Sequence, residues 1–428
     1  MSINDIHSLK GRRVLIAASG SIAAVKTPLL VSALIQAGAS VKCVVTPSAT
    51  HLVSPLALAT LSRHRCYQDA DQWSSTESRP LHIALAEWAE IIVVAPLSAS
   101  SLARWTQGLA DGLLASLLLA SECPIIAAPA MNTGMWENLS VQKNWKNLVS
   151  NPQVLALTPS SGLLACDRLG DGRMIAIEVI QIAIASGLLN KDKHGLIQHD
   201  WVGKKLLVTS GPTIEALDPA RLITNRSSGR MGVLLAQAAS FRGAKVDLVH
   251  GPLQIPQSWL EGLKTHAVKD FAGMKQCLES LQPTVDAVVM AAAVADLRKK
   301  GGALSQKLRK ESLLKSMQDG FEPVPDLLSE VTKKRSKGQI ILGFAALTGN
   351  DKEITKLGEE KRVRKGCDLL MANPIDRDGQ GFEVNTNGGV LLGPQGMVQS
   401  IPITSKLALA NQLLSALMAQ QNVVSQKN

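Results

Sequence analysis

Aromatic side chains are scarce in this sequence: five Phe, seven Trp and a single Tyr, Tyr67, among 428 residues. That scarcity removes the stacking platforms that hold single-stranded nucleic acid, so no nucleic-acid partner is expected. It also leaves Leu, Ile, Val and Ala to build the cores, which suits parallel strands buried between helices. Long apolar runs are missing too. The most apolar stretch, Leu113 to Ala120, falls far short of the roughly 20 residues that a membrane span needs. The chain opens on a short polar leader followed by strand-like sequence, an opening that predicts no signal peptide. The cysteines (Cys43, Cys66, Cys123, Cys166, Cys277 and Cys367) are scattered, with no Cys-x-x-Cys and no His-Cys cluster. They read as reduced cytosolic thiols, and no zinc site is expected. Neither Gly-x-Gly-x-x-Gly nor the P-loop glycine-lysine pattern occurs, which argues against a dinucleotide cradle and a P-loop ATPase.

What is present is globular: 46% apolar and 19% charged residues. The length exceeds one ordinary core and favours two or three domains. The net charge of +10 is +1 through Asn190 and +9 beyond it. A solvated basic surface, a nucleic-acid face and a pocket for phosphate-bearing substrates are all compatible with that excess, and the aromatic poverty favours the pocket.

Both halves alternate strand and helix signals. Arg13 to Ala18 reads as a buried strand, followed by the turn Ser19-Gly20-Ser21, a helix pattern over Ala23 to Ala37, and a second strand over Val41 to Val45. Ile91 to Ala95 and Ile125 to Ala128 are further short apolar runs, each ending at proline. The pattern restarts at Lys204, with strands over Leu206 to Thr209, Val246 to Val249, Asp286 to Ala292 and Ile340 to Phe344, and a helix over Val233 to Arg242. The expectation is α/β: two doubly wound Rossmann-like domains, 1–190 and 203–428, joined by a polar linker over 191–202. The tail from about Gln421 is expected to fray. A Ser-Gly-Ser turn ahead of a helix can bind one phosphate, which suits a mononucleotide.

Several motifs of the first half stand in order: residues 20–26 (GSIAAVK), 46–49 (TPSA), His82-Ile-x-Leu85, 95–99 (APLSA), 129–136 (PAMNTGMW) and 165–174 (ACDRLGDGRM). Together they resemble the flavin-dependent cysteine decarboxylases, above all those acting on phosphopantothenoylcysteine, with the stretch ending in Met135-Trp136 the most specific. The resemblance implies a flavodoxin-like half that binds FMN through Gly20, Ser21, Thr46 and Ser98. It implies His82 as the group that takes a proton, Asn132 as the neutral donor that holds the substrate carboxylate, and Cys166 as the thiol that returns a proton after CO2 leaves. Flavin oxidation of the thiol-bearing carbon would give decarboxylation an electron sink. Val25 stands where such enzymes commonly have tyrosine, and Asp167 where glycine commonly follows the cysteine.

The second half carries 218–221 (DPAR), 224–232 (TNRSSGRMG), 291–296 (AAAVAD), Lys307, 324–327 (VPDL), 343–346 (GFAA), 361–365 (KRVRK) and 368–373 (DLLMAN). This order resembles bacterial phosphopantothenate–cysteine ligase. The resemblance implies CTP-driven amide formation through an acyl-cytidylate, with Mg2+ as a cofactor whose ligands are unknown. It implies Asn225 as the group that engages the substrate carboxylate and acyl intermediate, and Lys307 as a contact to the nucleotide phosphates. Met290, Ala291, Ala292, Asp296, Pro325, Asp326 and Phe344 would shape the nucleotide pocket, with Lys361 and Lys365 closing over it. Val324, Leu347 and Asn385 replace an expected asparagine, glutamate and aspartate.

Taken together, the two resemblances imply a cytosolic enzyme of coenzyme A biosynthesis. Its partners would be phosphopantothenate, cysteine, CTP and phosphopantothenoylcysteine. It would have no membrane partner and would assemble as trimers through the first half and dimers through the second.

Overall fold

The computed structural model describes residues 8–74, 79–163, 167, 169–307, 309 and 320–426. The chain divides into two compact units between His199 and Asp200.

In the first unit, strands β1 (Arg13–Ala18), β2 (Ser40–Val45), β3 (Cys66–Tyr67), β4 (Ile91–Leu97), β5 (Ile125–Pro129) and β6 (Val154–Ala156) form one parallel sheet in the order β3-β2-β1-β4-β5-β6. Their side chains explain the placement. β1 is buried from Val14 onward and β4 along its whole length, as unbroken apolar runs demand when both faces are covered. The strand order reverses between β1 and β4, so the loops leaving their carboxyl ends diverge and open a crevice. Helix Thr27–Gln36 follows β1 after a 3-10 turn, Ile22–Lys26, where one continuous helix from Ala23 was expected. Pro28, near its start, fits the first helical turn. A separate antiparallel hairpin, β7 (Ser160–Leu163) and β8 (Leu169–Arg173), stands beside that crevice.

The second unit repeats the plan. Its strands are β9 (Lys205–Ser210), β10 (Ile214–Asp218), β11 (Arg221–Thr224), β12 (Lys245–His250), β13 (Lys264–Ala267), β14 (Ala287–Met290), β15 (Leu297–Lys299), β16 (Phe321–Pro323), β17 (Ile340–Leu347), β18 (Leu369–Pro374), β19 (Thr386–Gly393) and β20 (Gly396–Ser405). Eight of them make one sheet in the order β13-β12-β9-β14-β17-β18-β19-β20, parallel as far as β18 and antiparallel across β19 and β20. Here the order reverses between β9 and β14. One apolar core joins Leu207, Val288, Ile341 and Leu370 from the sheet to Met274, Val331 and Ile354 from the helices over it.

The boundary between the units falls inside the polar stretch 191–202, which has local structure of its own: Lys191 bridges to Ile197, Asp192 Oδ1 accepts from the backbone of His194 and Leu196, and Ile197 and Trp201 are buried. One local expectation fails: the chain does not fray at Gln421. Helix Lys406–Gln426 runs through it, and Gln421 is itself buried. Among the described residues, no helix is long and apolar enough to cross a membrane.

Candidate active sites

At the β1/β4 crevice lies a cavity of about 580 Å3, mostly apolar, lined by Ile22, Val25, Ala130, Met131, Met135 and Met174 among others. A smaller cleft of about 270 Å3 adjoins it, sharing Gly20 and Ser98 and bringing in Thr46, Ser48, Ser100, Ser101 and Arg104. The pair suits a ligand with a flat apolar ring and a phosphorylated polar tail. Gly20 has no freedom to be larger, since a Cβ there would sit 2.5 Å from Ser48 Cβ. Ser98 caps helix Ala99–Gln107, its hydroxyl accepting from Ser101 N at 3.3 Å.

Of the expected decarboxylase residues, Gly20, Ser21, Ser98 and Asn132 line the larger cavity, and Thr46 lines the cleft. Asn132 Oδ1 accepts from Gly134 N at 2.9 Å and caps the short helix Thr133–Trp136. Its Oδ1 is thus engaged by the backbone, while the expected role calls for its NH2 group. His82 is not brought there. It sits half-buried on helix Leu81–Trp88, outside both cavities. Cys166 falls outside the described residues; its flanking strands β7 and β8 contribute Leu163, Gly172 and Arg173 to the cavity wall. Gly172, at φ +125°, lets β8 pass so close to residue 131 that a Cβ would lie 2.3 Å from the Met131 carbonyl oxygen. Asp167 has φ +60°, the left-handed region in which glycine is at ease and aspartate is tolerated. Burial pushes the thiols of Cys43 and Cys66 up to about 12, and those of Cys123 and Cys367 up to about 11. None of these four is a thiolate at neutral pH.

The second unit holds a cavity of about 530 Å3 at the β9/β14 crevice. Met290, Ala291, Ala292, Asp296, Pro325, Asp326, Phe344, Lys361 and Lys365 all line it, with Asn225. Lys307 does not; it is exposed outside this cavity. Asp326 caps helix Leu327–Lys333 and pairs with Lys365 at 2.6 Å. Burial would raise the Asp326 carboxyl, but the hydrogen bond and charge of Lys365 hold it below the usual range. Burial lowers the Lys361 ammonium, and the neighbouring Lys365 and Arg364 lower it further.

Asn225 is held by two backbone carbonyls. Its NH2 donates to the carbonyl oxygens of Ala293 (3.1 Å) and Val294 (2.9 Å). Both partners are acceptors, so the amide can face them only through nitrogen. Asn225 thus ties the residues following β14 to the loop ahead of helix Arg230–Phe241, and only its oxygen can face a ligand. Of the replaced positions, Val324 lines the cavity and donates its N–H to Asp296 O, Leu347 is buried, and Asn385 O accepts from Lys406 N.

Two cationic cavity residues escaped the sequence reading. Arg230 lay unremarked inside a quoted motif, and Lys406 opens the last helix within an apolar sequence. Both are 4% exposed. Nothing in local sequence distinguishes a buried lysine at a helix start from a solvated one.

The carboxylates lining this cavity are Asp296 and Asp326, and among the described residues no cluster of three metal-binding side chains exists. That donor set suits Mg2+ held by one carboxylate and substrate phosphates, not an all-protein cage.

Comparisons with known proteins follow the same division. Residues 3–189 match the family described as Flavoprotein, and 201–420 the family described as DNA/pantothenate metabolism flavoprotein C-terminal domain. The chain is 36% identical to the coenzyme A biosynthesis bifunctional protein CoaBC of Bacillus subtilis, covering 96% of this chain and 98% of that one. It is 32% identical to the protein so named in Escherichia coli, again over 96% and 98%. Among solved structures, the FMN binding protein AtHal3 is 36% identical over 41% of this chain and 96% of its own, with a TM-score of 0.38. The C-terminal domain of a coenzyme A biosynthesis bifunctional protein is 29% identical over 52% and 98%, with a TM-score of 0.42.

Proposed function

We infer the chemistry of this chain from its kinship: it belongs to the coenzyme A biosynthesis bifunctional proteins, with a flavoprotein decarboxylase half followed by a ligase half. It is a bifunctional enzyme that joins phosphopantothenate to cysteine using CTP, then removes CO2 from the product to give phosphopantetheine. The observation that carries the reading is a pair of crevice cavities of opposite character. One is apolar with a hydroxyl-lined annex, and the other is bordered by Lys361, Lys365, Arg230 and Lys406.

In the ligase half, a carboxylate oxygen of phosphopantothenate attacks the α-phosphorus of CTP, the bond to the β-phosphate breaks, and pyrophosphate leaves. The cysteine amine then attacks the acyl carbon, a proton is lost from nitrogen, and CMP departs. The chain contributes position and charge. Met290 to Ala292, Pro325, Asp326 and Phe344 enclose the nucleotide, while Lys361 and Lys365 neutralise its phosphates. Asp296 would help to hold Mg2+, which would offset charge on the triphosphate, or would meet the ribose of the nucleotide. Asn225 holds the residues after β14 in place and presents its oxygen to the substrate. Lys307 is the phosphate contact that the resemblance implies, and it stands exposed outside this cavity.

In the decarboxylase half, FMN when bound supplies the two-electron oxidation and reduction that let CO2 leave. Gly20, Ser21, Thr46 and Ser98 would hold its phosphate and ring. Asn132 orients the substrate carboxylate through its NH2 without a cation that would favour the ground state. Cys166 returns a proton to the enethiolate left after decarboxylation. His82 serves the cavity of a neighbouring subunit in a trimer. Support comes from the exposed apolar side chains at the cavity rim, Ile22 (55%) and Val25 (52%), with Leu29 (60%) on the following helix. The enzyme works in the cytosol.

The test is twofold. The purified protein should carry FMN, seen in its visible spectrum, bound about one per chain. It should release pyrophosphate from CTP only when phosphopantothenate is present. A colourless protein that cannot be reconstituted with FMN overturns the first assignment, and pyrophosphate release independent of phosphopantothenate overturns the second.

A further inference from the structure

Lys406 begins the last helix, yet it faces the ligase cavity from a site only 4% exposed. A buried ammonium ordinarily sits beside a carboxylate, because an uncompensated charge in a dry site is costly. Lys406 has none: among the described residues no carboxylate lies within ion-pair distance of it. Its recorded partner is the Gly381 carbonyl oxygen, which accepts from Nζ at 3.0 Å. An ammonium carries three N–H donors, so this bond leaves most of its hydrogen-bonding capacity directed elsewhere. The charge that acts on it is a second cation, Arg230, also 4% exposed and also lining the cavity.

Arg230 is held by its own surroundings. It is the first residue of helix Arg230–Phe241, whose N-terminus carries partial positive charge, and its guanidinium lies 5.7 Å from the centre of the Trp259 ring. The other cations of the cavity, Lys361 and Lys365, have carboxylates at hand in Asp296 and Asp326. Lys361 and Lys365 are thus balanced by protein carboxylates, and Lys406 is not. Burial first, and Arg230 second, bring the Lys406 ammonium down to about 8.

We propose that Lys406, with Arg230 beside it, is a second anion seat of the ligase cavity, and that the charge it lacks is supplied by a phosphoryl group of a bound substrate. This rests on the ligase reading of the second unit. Two sources offer that chemistry, the triphosphate of CTP and the phosphomonoester of phosphopantothenate. Lys406 is then a specificity-determining residue that requires an anion at that end of the cavity. Its bond to Gly381 O also fixes the turn bearing Phe382, which lines the same cavity.

The experiment uses the full-length enzyme and two variants, Lys406→Met, which keeps the stem without the charge, and Lys406→Arg, which keeps the charge. CTP with Mg2+ and phosphopantothenate are titrated separately by calorimetry. Lys406→Met should weaken one of them by roughly ten- to hundred-fold, the size of one charge-assisted contact, while Lys406→Arg recovers most of the loss. Whichever substrate weakens identifies the source of the phosphoryl group. Unchanged affinity for both, in a variant whose second unit still melts cooperatively, overturns the proposal. So does an equal loss in the Met and Arg variants, which marks a purely structural lysine. If Lys406→Met does not fold, the wild-type protein decides. Inorganic phosphate and pyrophosphate should raise its melting temperature above that in chloride of equal ionic strength, less so in Lys406→Arg, and no rise overturns the seat. Wild-type CTP binding with unaltered variants would leave the ligase reading intact and remove only this inference.

Discussion

Replacing Asn225 with aspartate tests the ligase geometry at one atom. In the wild type, Asn225 Nδ2 donates to two backbone carbonyls, Ala293 O and Val294 O. Aspartate is nearly isosteric but turns that donor into an acceptor, so a carboxylate oxygen faces two carbonyl oxygens. Each lost hydrogen bond is worth about 1 kcal/mol, and the carboxylate set against carbonyl dipoles adds a further cost of similar size, for about 2–4 kcal/mol in total. Asn225→Ala loses the bonds without gaining the repulsion, and Ala293 O keeps its bond from Thr213 N, so its loss should be about 1–2 kcal/mol. The unfavourable charged form raises the aspartate pKa in the folded state. The extra penalty is therefore present above that raised pKa and fades as pH falls toward the unfolded value of about 4. Denaturant melts at neutral and mildly acidic pH measure both effects. Pre-steady-state assays then separate the half-reactions: Asn225→Asp should still release pyrophosphate but form little amide, because the segment that positions the acyl intermediate has shifted. An aspartate variant as stable as wild type and making amide at the wild-type rate would refute the assignment of both bonds.

Other perturbations have equally definite outcomes. Cys166→Ser should keep CO2 release but give little phosphopantetheine, and normal phosphopantetheine yield removes it as the proton donor. His82→Asn should retain FMN yet fail to bleach the flavin band with phosphopantothenoylcysteine, and bleaching at the wild-type rate makes His82 structural. Gly232→Ala places a Cβ 2.6 Å from Ser210 Cβ and 2.8 Å from Thr209 O. Overpacking of about 1–3 kcal/mol outweighs the roughly 1 kcal/mol gain in helix propensity, so melting temperature and CTP affinity should both fall. Because Lys406 titrates near 8 in the fold and at 10.5 as its unperturbed value, the unfolded chain holds its proton more tightly between those values. Wild-type stability relative to Lys406→Met should therefore rise with pH across that window, by up to about 3 kcal/mol. A flat difference means Lys406 is solvated.

The strands of both sheets were legible because β1, β4, β14 and β17 are dominated by apolar runs and β9 carries Leu206, Leu207 and Val208 ahead of a glycine-proline turn. The residues expected to shape the nucleotide pocket came from the motif resemblance; Met290 closes β14, Phe344 lies within β17, and both line the cavity. What escaped depends on distant packing. The 191–202 stretch looks polar, yet Trp201 N–H donates to Arg242 O, 41 positions away. Lys406 and Arg230 meet only because the last helix packs against helix Arg230–Phe241. His82 and Lys307 carry motif positions but lie outside these cavities, a placement that no local pattern encodes.

One measurement bears most directly on the central claim. Wild-type enzyme is incubated with phosphopantothenate, CTP, Mg2+ and cysteine labelled at its carboxyl carbon, and pyrophosphate, labelled CO2 and phosphopantetheine are followed together. The account predicts equal amounts of all three, each abolished by omitting CTP, with phosphopantothenoylcysteine rising and falling between them. Pyrophosphate without CO2, or labelled CO2 formed without CTP, would contradict it.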